Sequence, residues 1–201
     1  MCLINQIYSN IYRLDLPQTI DNSIQIMEEI RKANENDVKL VMEIINDAKE
    51  LFKSQGSPQW QEDDGYPNEE TIQNDLKHQQ LYVFTLDQYI VGIAAISSIP
   101  DECYRKIQEG DWLSSIDEKY LVIHRVAVRK NYYGRQIAYK LIEYSKELAK
   151  NSDIHSIRAD TMDINVGMNK LLQKCGFKSC GIIYLDRKMK FPKRTAYEYL
   201  L

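Results

Sequence analysis

Residues 120–150, YLVIHRVAVRKNYYGRQIAYKLIEYSKELAK, constrain this chain more than any other stretch. They open with an apolar, β-branched run (Leu121, Val122, Ile123, Val126, Val128) of strand character. A turn over 129–134 follows, rich in basic and aromatic residues and holding one glycine. From Ile137 the apolar residues fall at helical intervals, with Ile137, Leu141, Ile142, Ser145 and Leu148 on or beside one face. A strand that feeds such a turn and then a helix start is a physical recipe for holding phosphate. The first helical turn carries unpaired N–H groups and the positive end of the helix dipole, to which Arg129, Lys130 and Arg135 add full charges.

With 201 residues the chain suffices for one domain with a proper core and would be cramped as two. Its net charge of -3 conceals an asymmetry. Residues 1–118 carry 9 Lys/Arg against 22 Asp/Glu, whereas residues 119–201 carry 17 against 7. The basic half suits a compact polyphosphate ligand, or simply attracts the acidic half. No Lys/Arg block interleaves with aromatics and the pI is near 5.7, which argues against nucleic acid as a partner. The four cysteines (Cys2, Cys103, Cys175, Cys180) form no C-x-x-C pair, and the three histidines (His78, His124, His155) lack metal-ligand spacing. A reduced, cytoplasmic protein without metal is expected. No apolar run approaches membrane-spanning length and no secretory leader is seen, so no membrane partner is expected.

Taken in order, residues 1–26 show no sustained period and read as an N-terminal extension, either an accessory tail or an extra packed element. Residues 27–201 read as a single domain. A first strand over 29–33 precedes Asn34, a helix N-cap followed by Glu35 and Asp37 in the first turn. Val38, Val41, Met42, Ile45, Ala48, Leu51 and Phe52 then recur at helical intervals until Gly56-Ser57-Pro58. The next loop places Trp60 and Tyr66 among acids, either capping the core or walling a ligand pocket. A short helix is predicted over 69–77. Strands over 81–86 and 89–96 are joined by the tight turn Asp87-Gln88 as an antiparallel hairpin. After an irregular connection over 100–119 comes the organising unit. Beyond it lie a strand over 156–160, a helix over 166–175, a strand over 177–185, a basic loop and a last strand over 195–200. Met168, Leu171, Leu172 and Cys175 form a core stripe on the helix over 166–175. The expected fold is mixed α/β: a central, mostly antiparallel sheet with helices on both faces.

Three segments carry a family resemblance: HRVAVRKNYYGRQIA, RADTMDINVGMNKLLQKCGF and CGIIYL. With QW…GYP and a terminal R.AYE they make the chain resemble the GCN5-related N-acetyltransferase (GNAT) superfamily over about residues 28–201, and within it a bacterial branch of small acetyltransferases. The resemblance implies acetyl-CoA as co-substrate and a small-molecule or peptide amine as acceptor; a homodimer is one possible assembly. It implies that Val126, Ala127 and Val128 offer backbone groups to pantetheine, and that Tyr133, Gly134, Arg135, Gln136, Ile137 and Ala138 wrap the pyrophosphate. Two positions depart from the family loop: Tyr133 stands where Arg or Gln is usual, and Gln136 where the central Gly is usual. Asn165 matches an Asn that contacts the cofactor arm in the family, and it equally suits a helix N-cap. Leu172 occupies the position at which many relatives carry a thiolate-protonating Tyr.

Amine acetylation needs a base, and His124 is the candidate. Strand parity groups it with Val122, Val126 and Val128, and histidine is the side chain suited to proton transfer near neutrality. A hydrogen-bonded core histidine is the competing reading. Arg125 is expected on the opposite face, paired with Asp160 or a carboxylate of the first helix; Arg158 and Asp160 are expected to pair with each other. Asp160, Tyr184, Trp60 and Tyr66 are the acceptor-site candidates. Two functions compete: an N-acetyltransferase working through a ternary complex, and a non-catalytic acyl-CoA-binding or regulatory module. The altered loop and the missing Tyr motivate the second.

Overall fold

The structure, a computed structural model, describes residues 26–61, 63, 65–185 and 189–201. The expectation for the N-terminal extension therefore lies outside the described residues, save Ile26, as does part of the basic loop after residue 185. Strand β1 (Glu28–Lys32) leads into a single 3-10 turn and helix α1 (Val38–Ser54). Helix α2 (Glu69–Lys77), strands β2 (Leu81–Leu86) and β3 (Tyr89–Ser97), then strand β4 (Tyr120–Val128) and helix α3 (Ile137–Asn151) follow. Strand β5 (Ser156–Thr161), helix α4 (Val166–Lys174) and strands β6 (Lys178–Tyr184) and β7 (Lys193–Leu200) complete the order.

Local chemistry sets these boundaries. The Asn34 side chain accepts from the Asn36 N–H at 2.9 Å, while Asp37 accepts from the Asn34 N–H at 2.8 Å, so the chain turns into α1 with its donors satisfied. Asn68 and Thr71 do the same for α2. Val41, Ile44, Ile45 and Ala48 then form the buried stripe of α1. At the β2–β3 turn Asp87 and Gln88 both take positive φ, as a tight hairpin turn requires.

The seven strands form one sheet in the order β1-β2-β3-β4-β5-β7-β6, in which β4 and β5 run parallel and the other described pairs antiparallel. Alternation in β2 and β3 sorts the core onto two faces. Leu81, Val83, Ile90 and Ile93 pack under α1 and α2. Tyr82, Phe84, Val91, Ala94 and Ile96 pack with Leu141 and Ile142 of α3 and Leu172 of α4.

Strand β4 breaks its own alternation. His124 pairs with Ala95 and Ala127 with Ile93, so Arg125 and Val126 together oppose the single residue Ala94, and Arg125 has φ +53. This is a β-bulge, which shifts the facing of everything after it. The parity expectation for His124 is corrected accordingly: it shares a face with Val122, on the α1 side, whereas Val126 and Val128 pack in the α3 cluster. Arg125 is corrected too, for it reaches neither Asp160 nor α1. Its guanidinium is held by both oxygens of Asp75 in α2, each at 2.7 Å.

Candidate active site at the split between two strands

Strands β4 and β5 pair from Tyr120↔Ser156 to Ile123↔Ala159 and then part. The rest of β4 and the last residues of β5, Asp160 and Thr161, are no longer bonded to each other. A cavity of about 420 Å³ lies in this split. Of the residues singled out in the sequence, Trp60, Tyr66, His124, Val126, Asp160 and Asn165 line it. Tyr184 does not, and is 39% exposed on β6; Leu185, the next residue, lines it instead.

His124 sits between two carboxylates. Its Nε2 is 3.5 Å from Asp101 Oδ2 and its Nδ1 3.8 Å from Asp160 Oδ1. The histidine beside Asp101 holds that carboxyl well below the usual range, at about 2. Asp160 also accepts from the Tyr104 hydroxyl at 2.7 Å and faces Arg194 Nε at 3.7 Å. Asp160 therefore pairs with residues of the irregular segment and β7, while Arg158 pairs with Glu198 at 3.0 Å. The expected Arg158–Asp160 pair is not formed. Burial, together with Asp160, pushes the Tyr104 phenol well above its ordinary value. Cys103 lines the same cavity and donates its S–H to Asp101 at 3.0 Å. Burial and the Asp101 charge raise this thiol far beyond the usual thiol range, so it is not an available nucleophile.

One side of the cavity is walled by the loop after α1. Trp60, at φ +58, meets Phe52 edge to face with ring centroids 5.3 Å apart. The Tyr66 hydroxyl accepts from Arg125 Nη1 at 3.0 Å. Asn165 caps α4 by accepting from the Met168 N–H at 3.1 Å, and its amide nitrogen donates to Gln59 Oε1 at 3.0 Å. The N-cap role is thus filled, and the same residue bridges to the loop.

The turn after β4 is pinned by two acids of α1. Glu43 pairs with the Arg129 guanidinium, and Asp47 accepts from the Lys130 N–H at 2.9 Å. Arg135 stacks over Tyr132 at 5.1 Å. Gly134 has φ +78, and Gln136, the N-cap of α3, has φ +61 with no side-chain capping bond and no acid in the first turn. Gln136 therefore adopts the left-handed conformation for which glycine is usual, at a strain of about 1–2 kcal/mol. Among the described residues neither a side-chain cap nor an acid meets the first-turn N–H groups of α3. At Gly92 of β3 an added Cβ would stand 2.5 Å from Ile137 Cγ2, so the bare backbone there lets α3 seat its first residue on the sheet.

Among the cavity residues missed in the sequence are Gln59, Asp101, Cys103, Thr161, Met189 and Arg194. Asp101 and Cys103 lie in the irregular segment before β4, where no period announces which side chains turn inward. Among the described residues no group of three or more His, Cys, Asp or Glu is placed to hold a metal ion, and no helix is long and apolar enough to cross a membrane.

The model of the acetyltransferase (GNAT) family matches residues 42–177. The chain belongs to the GNAT acetyltransferase family. A GNAT acetyltransferase from Streptococcus agalactiae 2603 is 32% identical, with a TM-score of 0.78 over 87% of this chain and 95% of that one. A GNAT acetyltransferase from Listeria monocytogenes 4b F2365 is 20% identical, TM-score 0.67, over 87% and 95%. A Salmonella typhimurium structure containing acetyl-CoA as its cofactor is 16% identical, TM-score 0.60, over 87% and 94%. The last two likenesses establish the fold alone. No curated protein matches the chain.

Proposed function

We propose that this acetyltransferase moves the acetyl group of acetyl-CoA to a primary amine by direct attack, with both substrates bound together in the split and residues 27–201 acting as one domain. The observation that carries the reading is His124, placed where β4 leaves β5 and flanked by Asp101 and Asp160 inside the cavity.

Acetyl-CoA supplies an acyl carbon activated by a thiol leaving group. The residues that would hold it are Val126, Ala127 and Val128 through their main chain, the turn Tyr133, Gly134, Arg135, Gln136, Ile137 and Ala138 around the diphosphate, and Asn165 beside the arm. A main-chain N–H of β4 beyond the split polarises the carbonyl as an oxyanion donor. His124 takes the proton of the ammonium, directly or through water, and the two carboxylates stabilise the imidazolium that results. The amine nitrogen then bonds to the acyl carbon while the carbon–sulfur bond breaks, its electron pair departs with sulfur, and the second nitrogen proton passes to solvent. Solvent protonates the thiolate. Trp60 and Tyr66 receive the apolar or aromatic body of the acceptor, and Asp101 and Asp160 favour its cationic amine. The Cys103 thiol, held neutral, disfavours a covalent acetyl-enzyme route.

The second reading, a non-catalytic acyl-CoA-binding module, draws on Leu172, buried at the cavity where many relatives carry a phenol. Thiol release from acetyl-CoA across a panel of primary amines, beside calorimetric titration with acetyl-CoA, separates the two. Turnover with at least one amine supports the transferase. Binding without turnover on any acceptor supports the module, and no binding defeats both.

A further inference from the structure

Thr161, the last residue of β5, is 2% exposed and lines the cavity, yet its Oγ1 has no hydrogen-bond partner among the described residues. A buried hydroxyl without a partner is costly, and native cores rarely keep one away from a site that uses it. Its facing is fixed by the strand. Ile157 and Ala159, four and two residues earlier, pack in the core under α3 and α4, so Thr161 turns toward that side. Asp160 turns the other way, to His124 and Tyr104. Thr161 also lies two residues past the last β4–β5 pair, in the throat of the split.

The other side chains that line the cavity from the α3 and α4 side leave this hydroxyl alone. Ile142, Ala159, Met168 and Leu172 are apolar. Both amide atoms of Asn165 are engaged, one by the Met168 N–H and the other by Gln59. The group expected at the throat on that side, opposite the base, is the one that leaves.

Resting on the reading of the split as the acetyl-CoA site, we infer that the Thr161 hydroxyl donates a hydrogen bond to the coenzyme sulfur and holds the thiolate as it departs. Nucleophile and leaving group are thereby served from opposite faces of the sheet: His124 takes the amine proton on one, and Thr161 steadies the sulfur that receives the bonding electron pair on the other. The hydroxyl keeps its proton; the thiolate takes its own from solvent.

The test is calorimetric titration of the wild-type protein and of Thr161→Val and Thr161→Ser with CoA and with desulfo-CoA, from about pH 7 to about pH 9.5, across the usual thiol range. Wild-type protein is expected to bind CoA about tenfold more tightly than desulfo-CoA at the upper end. That margin should widen as pH rises, because a hydrogen bond donated to sulfur favours its ionised form. Thr161→Val should reduce the margin to about twofold or less and flatten its pH dependence, while keeping desulfo-CoA affinity and a melting temperature at or above wild type. Thr161→Ser should preserve the margin. A Val variant that keeps the wild-type preference overturns the inference, as does wild-type protein that binds the two ligands equally, in which case the coenzyme reading of the split still stands. Wild-type protein that binds neither ligand overturns both.

Discussion

Arg158 Nε meets Glu198 Oε1 at 3.0 Å with both side chains fully buried, joining β5 to β7. The guanidinium lies 4.0 Å from the Tyr120 ring centroid and 4.3 Å from that of Trp112. Glu198 also accepts from the main chain of Leu113 and Ser114 and from the Ser114 and Ser156 hydroxyls. Trp112 in turn donates to the Tyr104 carbonyl at 2.8 Å, and Tyr104 reaches Asp160. The buried pair thus anchors the irregular segment that delivers Asp101 and Cys103 to the cavity. Removing one partner strands a buried charge, so Glu198→Ala should cost about 3–5 kcal/mol in urea unfolding. The double variant Arg158→Met/Glu198→Leu should lose markedly less than the sum of its single changes.

Burial by itself would raise the Glu198 carboxyl, but bonds from Ser114, Ser156 and Arg158 hold it below its usual value. A depressed folded value means that the carboxylate stabilises the fold above the unfolded value of about 4.3, and that this contribution is lost as pH falls below it. Asp101, held at about 2 beside His124, acts in the same direction. Its contribution is present above about pH 4 and fades toward pH 2. Acid unfolding of Asp101→Asn, followed by circular dichroism, should show a shallower loss across that window than the wild type.

His124→Ala should depress turnover chiefly near neutral pH and recover toward about pH 9–10, where the amine loses its proton unaided, with a neutral-pH loss of about 10²–10⁴. A pH–rate profile of kcat/KM measures this. An equal loss at every pH would remove His124 from the role of proton acceptor.

Gly92 and Ile137 are in close approach across the β3–α3 contact. Gly92→Ala should push the start of α3 off the sheet, costing about 1–3 kcal/mol by overpacking. Acetyl-CoA affinity should fall with it, because the turn from Tyr133 to Ala138 rides on that helix end. Thermal melts and calorimetric titration of the same variant check the two effects together.

The Cys175 and Cys180 thiols are pushed up to about 11, in each case mainly by burial, and Cys103 lies higher still. At pH 8 on the order of one in a thousand of the first two is thiolate. Iodoacetamide should therefore modify these three positions only slowly in folded protein and rapidly in urea, as read by peptide mass spectrometry. Incubation with acetyl-CoA alone should leave Cys103 without an acetyl adduct.

Much of the architecture was legible in the residues because it rests on local rules. Asn34 and the stripe Val41, Ile45 and Ala48 mark α1, the turn Asp87-Gln88 marks the hairpin, and Ile137 and Leu141 mark α3. The site was legible where a residue lies on such an element, as His124, Asp160 and Asn165 do. It was not legible where the partner comes from afar. Asp75 for Arg125 and Glu198 for Arg158 are 50 and 40 positions away, and either arginine had other carboxylates to choose from. The bulge at Arg125 escaped because bulges announce themselves by glycine, and none stands there. One unrecognised extra residue was enough to send the parity of Val126 and Val128 to the wrong face.

That offset at Arg125 makes β4 a hinge between two compartments of one strand. Ahead of it the even-numbered Val122 and His124 look to the α1 side, and after it the even-numbered Val126 and Val128 look to the α3 side. Replacements at 122 and 124 therefore act on one face of the sheet and replacements at 126 and 128 on the other, although all four share one sequence parity. Shortening the strand by a single residue at the kink would restore one-for-one pairing with β3 and leave Val126 and Val128 facing α3, at the loss of the arginine that Asp75 holds.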